Sequence, residues 1–211
     1  PWQQFVEIYP DLESRTDWAR PQIYLPVVNA HMPVHPVDAP HAAIGLDIDY
    51  LIGSCRDEAN FFSAFMDLQG SQFERRARQV VAAAGASWDD VLARYAQLRP
   101  ELDAEECFNA ALGDMWFRLP SLRIAQGHQR HSKRNTYVYL FEWSSPLIGA
   151  AHALDLMVFG NGLALPFLGA FKGYEQTATM MRKAWVAFAA SGSPQVPVSY
   201  THLTLPTIAV V

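Results

Sequence analysis

Hydrophobic positions in this chain repeat at two different spacings, and the changes between them mark its elements. "YLPVV" (Tyr24 to Val28) is a short β-branched run, and "DYLIG" (Asp49 to Gly53) is a second, apolar enough to be covered on both faces of a sheet. From Asp57 the period becomes helical and predicts helices over about 57–68, 71–84 and 88–98. Gly70 and Gly85 mark the breaks, Ser87 stands as the N-cap of the third helix, and Pro100 stops it. A longer helical pattern then places Phe108, Leu112, Met115, Trp116 and Leu119 on one face, the spacing of a core stripe. "TYVYLFEW" (Thr136 to Trp143) is the clearest strand, with Tyr137, Tyr139, Phe141 and Trp143 on one face and Val138 and Leu140 on the other. A last helix over about 174–190 turns Met181, Trp185 and Phe188 inward and ends at Gly192. Strands separated by helices predict an α/β architecture with a mostly parallel sheet and flanking helices.

The least polar stretch, "SPLIGAAHALDLMVFGNGLALPFLGAF" (145–171), raises the question of a membrane span. A spanning helix needs about 20 apolar residues with internally satisfied backbone. Pro146, Pro166 and four glycines break this one, and His152, Asp155 and Asn161 would lie at bilayer depth. It reads as turns and short segments packed inside a soluble protein.

Composition narrows the class. The 211 residues are 50% hydrophobic and 18% charged with a formal net charge of −5, which suits a globular domain with a sizeable core and offers no nucleic-acid surface. Arg130, His131, Lys133 and Arg134 read as a solvated loop, and Cys55 and Cys107 as separate free thiols. Lysine supplies only three of the 16 basic residues, a bias typical of GC-rich bacterial genomes.

In open α/β sheets, functional groups gather in loops at the carboxyl ends of strands. Two loops qualify: "SCRDEANFF" with Asp57 and Glu58, and "SSPLIGAAHALD" with His152. Singly, Glu58 reads as a first-turn acid favoured by the helix dipole, and His152 as a hydrogen-bonded core histidine.

In order along the chain, "YLPVVNAHMPVHP…DYLIGSCRDEANFF", "TYVYLFEWSSP…GAAHALDLMVFG" and "AWVAFAASGSP" resemble the type-B carboxylesterases, a family of α/β-hydrolases. The family's corresponding segments are "PVVDG…LP", "G-x-N-R/K-D-E-G-x-x-F", "YVYxFxW…GAxHxxExxFVFG" and "W-x-x-F-A-x-x-G-x-P". The resemblance covers nearly all of residues 20–197 and implies a serine carboxylic ester hydrolase that works through an acyl-enzyme, without a cofactor or metal, on small-molecule carboxylic esters. It places Glu58 as the catalytic acid, His152 as the catalytic histidine, and Asp155 at the acid three residues further on. Cys55 stands where the family has Asn, and Ala59 where it has Gly, a residue that tolerates conformations Ala does not.

The chemistry agrees. Acyl transfer needs a base beside a serine, and a third group to fix the imidazole tautomer. Burial among small apolar residues would keep that base dry and well held. Such folds run nucleophile, acid, histidine along the chain. The acid here precedes the histidine by 94 positions (152 − 58), so the serine is expected upstream of Pro1. No G-x-S-x-G and no HGGG-type segment occurs in the sequence. Helices over 57–126 are expected to cover part of the pocket, with Phe61, Phe62, Trp116 and Phe159 as candidate lining residues.

His31, His35 and His41 cluster, and His128 and His131 form an H-x-x-H, but Pro33 and Pro36 oppose the helix that would align a metal site. "VSYTHLTLPT" (Val198 to Thr207) reads as the translation of a sequencing adapter, as in metagenomic assemblies. The expectation is therefore the C-terminal portion of an α/β-hydrolase fold, truncated at both ends. Residues 1–197 would belong to one domain and 198–211 would be an adapter-derived tail, weakly attached. A catalytically inactive esterase-like domain that binds a protein partner is the alternative from another functional class.

Overall fold

The computed structural model describes residues 28–159 and 172–194, together with Ala209 and Val210. Strand β1 (Tyr50–Cys55) is followed by α1 (Asn60–Ser63), α2 (Gln72–Ala83), α3 (Trp88–Leu98) and α4 (Ala104–Gly113). A π-helical turn (Asp114–Arg118) leads directly into α5 (Leu119–His131), then β2 (Thr136–Phe141), α6 (Tyr174–Ser191) and β3 (Ala209–Val210). β1 and β2 run parallel, with Tyr50 opposite Thr136 and Cys55 opposite Phe141. β3 adds an antiparallel pairing of Val210 with Tyr137 and Ala209 with Val138. Of the expected strand at Tyr24–Val28, only Val28 lies among the described residues.

Local chemistry accounts for the helix ends. Ser71 Oγ accepts the Phe73 N–H at 3.1 Å and Ser87 Oγ the Asp89 N–H at 3.2 Å. Asp103 and Glu106 form a reciprocal capping box at the start of α4. Gly192 closes α6 in the left-handed region at φ 72°.

The helix expected over 57–68 is much shorter in the structure. Only Asn60–Ser63 is α-helical; before it the chain closes a tighter turn, with Asn60 N–H donating to Asp57 O at 3.0 Å. Arg56 N–H donates to Phe141 O at 2.9 Å and Asp57 N–H to Ala150 O at 2.9 Å, so the chain turns before it coils. The Asp67 carboxylate then accepts the Gln69 N–H at 2.9 Å and turns the chain toward α2.

The single stripe expected from Phe108 to Leu119 also divides. Phe108 and Leu112 are buried, but Leu119 is 57% exposed. The π turn lies between them and retards the helical face. Pro120 is the physical cause: a proline lacks the N–H and collides with the carbonyl four residues back, here that of Trp116.

Two apolar clusters result. Cys55, Phe141, Ala150, Ala151, Leu154, Tyr174, Ala178 and Met181 form one, with Trp185 packed against it. Ala59, Leu68, Ala77, Trp88, Phe108, Ala111 and Leu112 form the other, inside the helical layer. Phe188 packs edge-on against Tyr137. The strands are less covered than their apolarity suggests: Leu51, Ile52 and Gly53 are half-buried, since β1 is an edge of the described sheet. The turn after β1 belongs to both clusters, with Cys55 in one and Ala59 in the other. Glu58 sits at their junction.

Candidate active site

Along a strand, successive N–H groups point to opposite edges. Arg56 directs its own to β2, so that of Cys55 faces away, and Glu58 folds back to meet it: Cys55 N–H donates to Glu58 Oε1 at 2.6 Å. The Glu58 side chain is 6% exposed. Ala59, where a glycine was the family pattern, has φ −70° and ψ −19°, an ordinary right-handed conformation that needs no glycine.

The second loop leaves β2 through a small bridge in which Ser145 and Gly149 exchange hydrogen bonds at 2.9 and 3.0 Å. Gly149 sits at φ 69°. Ala150 and Ala151 are fully buried and carry the chain to His152, whose Nδ1–H donates to Glu58 Oε2 at 2.6 Å. That distance lies at the short end of charge-assisted hydrogen bonds. Both Glu58 oxygens are thus occupied, and the carboxylate fixes the Nε2-unprotonated tautomer of the imidazole. The next residue, Ala153, holds the left-handed region at φ 67°, a strained position for a residue with a Cβ.

His152 is less buried than its apolar sequence suggests, with a side chain 36% exposed. Its neighbours are aromatic as well as small. Ring centroids lie 4.7 Å away at Phe117, 5.2 Å at Phe62 and 6.1 Å at Phe61. Of the lining residues named from sequence, Phe61 and Phe62 are beside the imidazole. Trp116 packs instead on Phe73, at 4.8 Å. The side chain of Phe159 lies outside the described residues. Phe117 was missed; it lies in the π turn just before Pro120, and that proline was the available signal of an irregular helix there.

The comparisons with known proteins bear on this arrangement. The sequence model of the carboxylesterase family matches residues 1–205. The chain belongs to the carboxylesterase family. The phenmedipham hydrolase of Pseudarthrobacter oxydans is 26% identical over 228 residues, covering 98% of this chain and 42% of that protein. A PNB esterase of known structure superposes with a TM-score of 0.67 at 20% identity, covering 97% of this chain and 41% of its own. A thermophilic PNB esterase gives 0.65 at 21% identity, over 90% and 39% of the two chains. A Geobacillus stearothermophilus carboxylesterase gives 0.64 at 25% identity, over 86% and 40%. The described elements are therefore part of an α/β-hydrolase fold, and the chain spans about two fifths of the length of these relatives.

In this carboxylesterase chain a second layer of polar groups lies behind the Glu58–His152 pair. Tyr139 O–H donates to Asp155 Oδ2 at 3.0 Å. Burial, followed by the neighbouring Glu58 charge, raises the Asp155 carboxyl above the usual aspartate range, while the bond from Tyr139 opposes the shift. Burial, then the Asp155 charge, pushes the Tyr139 hydroxyl well up. The Cys55 thiol is pushed up in the same way, by burial and then by Asp155 and Glu58, which makes it a poor nucleophile. Cys55 and Cys107 are both free and buried.

Asp57 does not compete with Glu58 for the imidazole. From sequence, Asp57 is expected to serve the first turn or a surface arginine such as Arg56. Arg56 does hold its carboxylate (Nε to Oδ1 3.1 Å, Nη2 to Oδ2 3.0 Å), which also accepts the Ala150 N–H at 2.9 Å. Two other histidines serve the structure. His128 is fully buried, bonded through Nδ1 to Thr136 Oγ1 at 2.8 Å and stacked on Tyr50 at 3.9 Å. His41 Nε2 donates to Arg123 O at 3.0 Å. Among the described residues, no three His, Cys, Asp or Glu side chains converge into a metal-binding group.

Proposed function

We propose that this chain carries the acid and the general base of a serine carboxylic ester hydrolase that works through an acyl-enzyme. Glu58 is the acid and His152 the base; the nucleophilic serine and the oxyanion donors come from the part of the esterase that precedes residues 1–197. The observation that carries this reading is the 2.6 Å approach of His152 Nδ1 to Glu58 Oε2, across 94 positions of sequence, in a loop pair at the carboxyl ends of two parallel strands. Membership of the carboxylesterase family supports it.

The division of labour follows from the geometry. Glu58 is immobilised by the Cys55 N–H, so it keeps the imidazole in the tautomer with Nε2 free to accept a proton. His152 takes the serine proton as the hydroxyl attacks the ester carbonyl, then returns it to the departing alcohol. Repeating the cycle with water releases the acid. Phe61, Phe62 and Phe117 wall the imidazole and favour an apolar, small-molecule ester. The hydrolase and esterase names of the relatives point to the same reaction class.

The test is an ester panel assayed on the longer protein that contains this chain and on the 211-residue chain alone. The chain alone is expected to give no turnover. In the longer protein, His152→Ala and Glu58→Gln should each lower kcat by at least about 10²–10⁴-fold, the range of lost general-base catalysis. Unchanged turnover in either variant refutes the assignment. A longer protein with no activity and no G-x-S-x-G would indicate a binding domain instead.

A further inference from the structure

Several hydrogen bonds join the acid turn to the histidine loop, and two of them lie next to the imidazole. Besides the Glu58–His152 contact, Asp57 N–H donates to Ala150 O at 2.9 Å, and Ala150 N–H donates back to Asp57 Oδ2 at 2.9 Å. Two adjacent acids therefore grip positions two apart in the same loop. We propose that Asp57 is the positioning residue of His152: its carboxylate latches Ala150 and so sets the distance at which Glu58 meets the imidazole. The proposal rests on the reading of Glu58 and His152 as acid and base.

Three features make the latch specific. Gly149 approaches so closely that a Cβ there would lie 2.7 Å from Asp57 Oδ2 and 3.4 Å from Asn60 Nδ2, so the carboxylate fills the space of the absent side chain. Arg56 neutralises Asp57 from the solvent side, so the second acid adds little charge to that of Glu58. The loop has further ties, from Asn60 Nδ2 to Ile148 O at 3.3 Å and from Arg56 Nη2 to Ser144 Oγ at 3.4 Å, but both lie on the far side of Gly149. Between the latch and the imidazole there is only Ala151. With Ala150 released, the short Glu58 contact would have to hold the loop as well as orient the ring, and hydrogen bonds weaken steeply with misalignment.

The test is nuclear magnetic resonance of the imidazole in the ¹⁵N-labelled 211-residue chain, with the His152 signals assigned by His152→Ala. The Nδ1–H proton of His152 is expected to be protected from solvent and to be lost in Glu58→Gln. In Asp57→Ala its exchange should quicken roughly ten- to hundredfold, the loss of one hydrogen bond to a charged group. Asp57→Asn should restore it, because the amide oxygen still accepts from Ala150. Unchanged exchange in Asp57→Ala, with the signal lost in Glu58→Gln, overturns the latch and leaves the acid–base reading standing. A signal unaffected by Glu58→Gln overturns both. If Asp57→Ala does not fold, hydrogen exchange at Ala150 N–H of the unaltered chain decides. Protection well above that of an exposed loop amide supports the latch, and protection no greater refutes it.

Discussion

Gly149→Ala is the most informative single methyl group to add to this molecule. The residue sits at φ 69°, where a Cβ costs about 1–2 kcal/mol in backbone strain. The new methyl would also lie 2.7 Å from Asp57 Oδ2, closer than non-bonded atoms tolerate. The carboxylate must then move, and it accepts both the Ala150 N–H and the Arg56 guanidinium. Losing a hydrogen bond to a charged group costs about 1.5–3 kcal/mol. A stiffer unfolded chain returns about 0.4–1 kcal/mol. The expected net loss is about 2–4 kcal/mol.

Gly70 supplies the control. It has nearly the same φ, 68°, but nothing lies within 4 Å of a Cβ built there. Gly70→Ala should therefore show the backbone cost alone, about 1 kcal/mol. Urea unfolding of the two variants, read from the midpoint with an unchanged slope, measures the difference. Equal losses within about 0.5 kcal/mol, the resolution of such comparisons, would show that the Asp57 carboxylate is not held against Gly149. Repeating Gly149→Ala in an Asp57→Ala background should bring its cost down to that of Gly70→Ala.

Four further outcomes follow from the same structure. Ala153→Gly should be neutral or stabilising by up to about 1 kcal/mol, because it relieves a left-handed alanine, whereas Ala151→Gly should destabilise by roughly the same amount; identical effects in urea unfolding would contradict the strain at Ala153. Asp155 has its pKa raised by folding, so the native state holds the proton more tightly, and stability falls as pH rises from the ordinary aspartate range through the raised native value. Asp155→Asn should flatten that part of the stability–pH curve and gain relative to the unaltered chain near neutrality; parallel curves would refute it. Cys55 should resist thiol reagents in the native chain and react on unfolding, so rapid native modification would count against its burial among carboxylates. Deleting residues 198–211 should change stability by less than about 0.5 kcal/mol, and a larger loss would make the pairing of Ala209 and Val210 with β2 part of the fold.

How much of this was legible in the sequence depended on where each backbone group finds its partner. α3 was readable to the residue, because Ser87, Pro100 and the apolar spacing are local signals. β2 was readable from its aromatic alternation, and α6 from Gly192. The turn at 56–59 was not. Its N–H groups bond to Phe141 and Ala150, roughly 85–93 positions away, and no local propensity records that. The same reason hid the Asp57–Ala150 latch, since the visible partner was the neighbouring Arg56. Glu58 and His152 were legible only as a pair, through ordered motifs; each alone reads as an unremarkable polar residue. Phe117 was obscured by assuming one straight helix through Pro120.

The shortened helix and the candidate site have a common cause. A carboxylate buried as deeply as that of Glu58 needs donors for both oxygens, or the cost of its desolvation falls on the fold. The irregular turn brings Glu58 back onto the Cys55 N–H, which no strand takes among the described residues, leaving the other oxygen for His152. A backbone donor at the edge of the described sheet thus holds an acid in place. Gly113 completes the arrangement from the helical side, since a Cβ there would lie 3.3 Å from Glu58 Cβ and 3.3 Å from Ala59 N. A side chain at 113 would press on the acid turn from the second cluster, so the position of Glu58 depends on close packing on both sides of the junction.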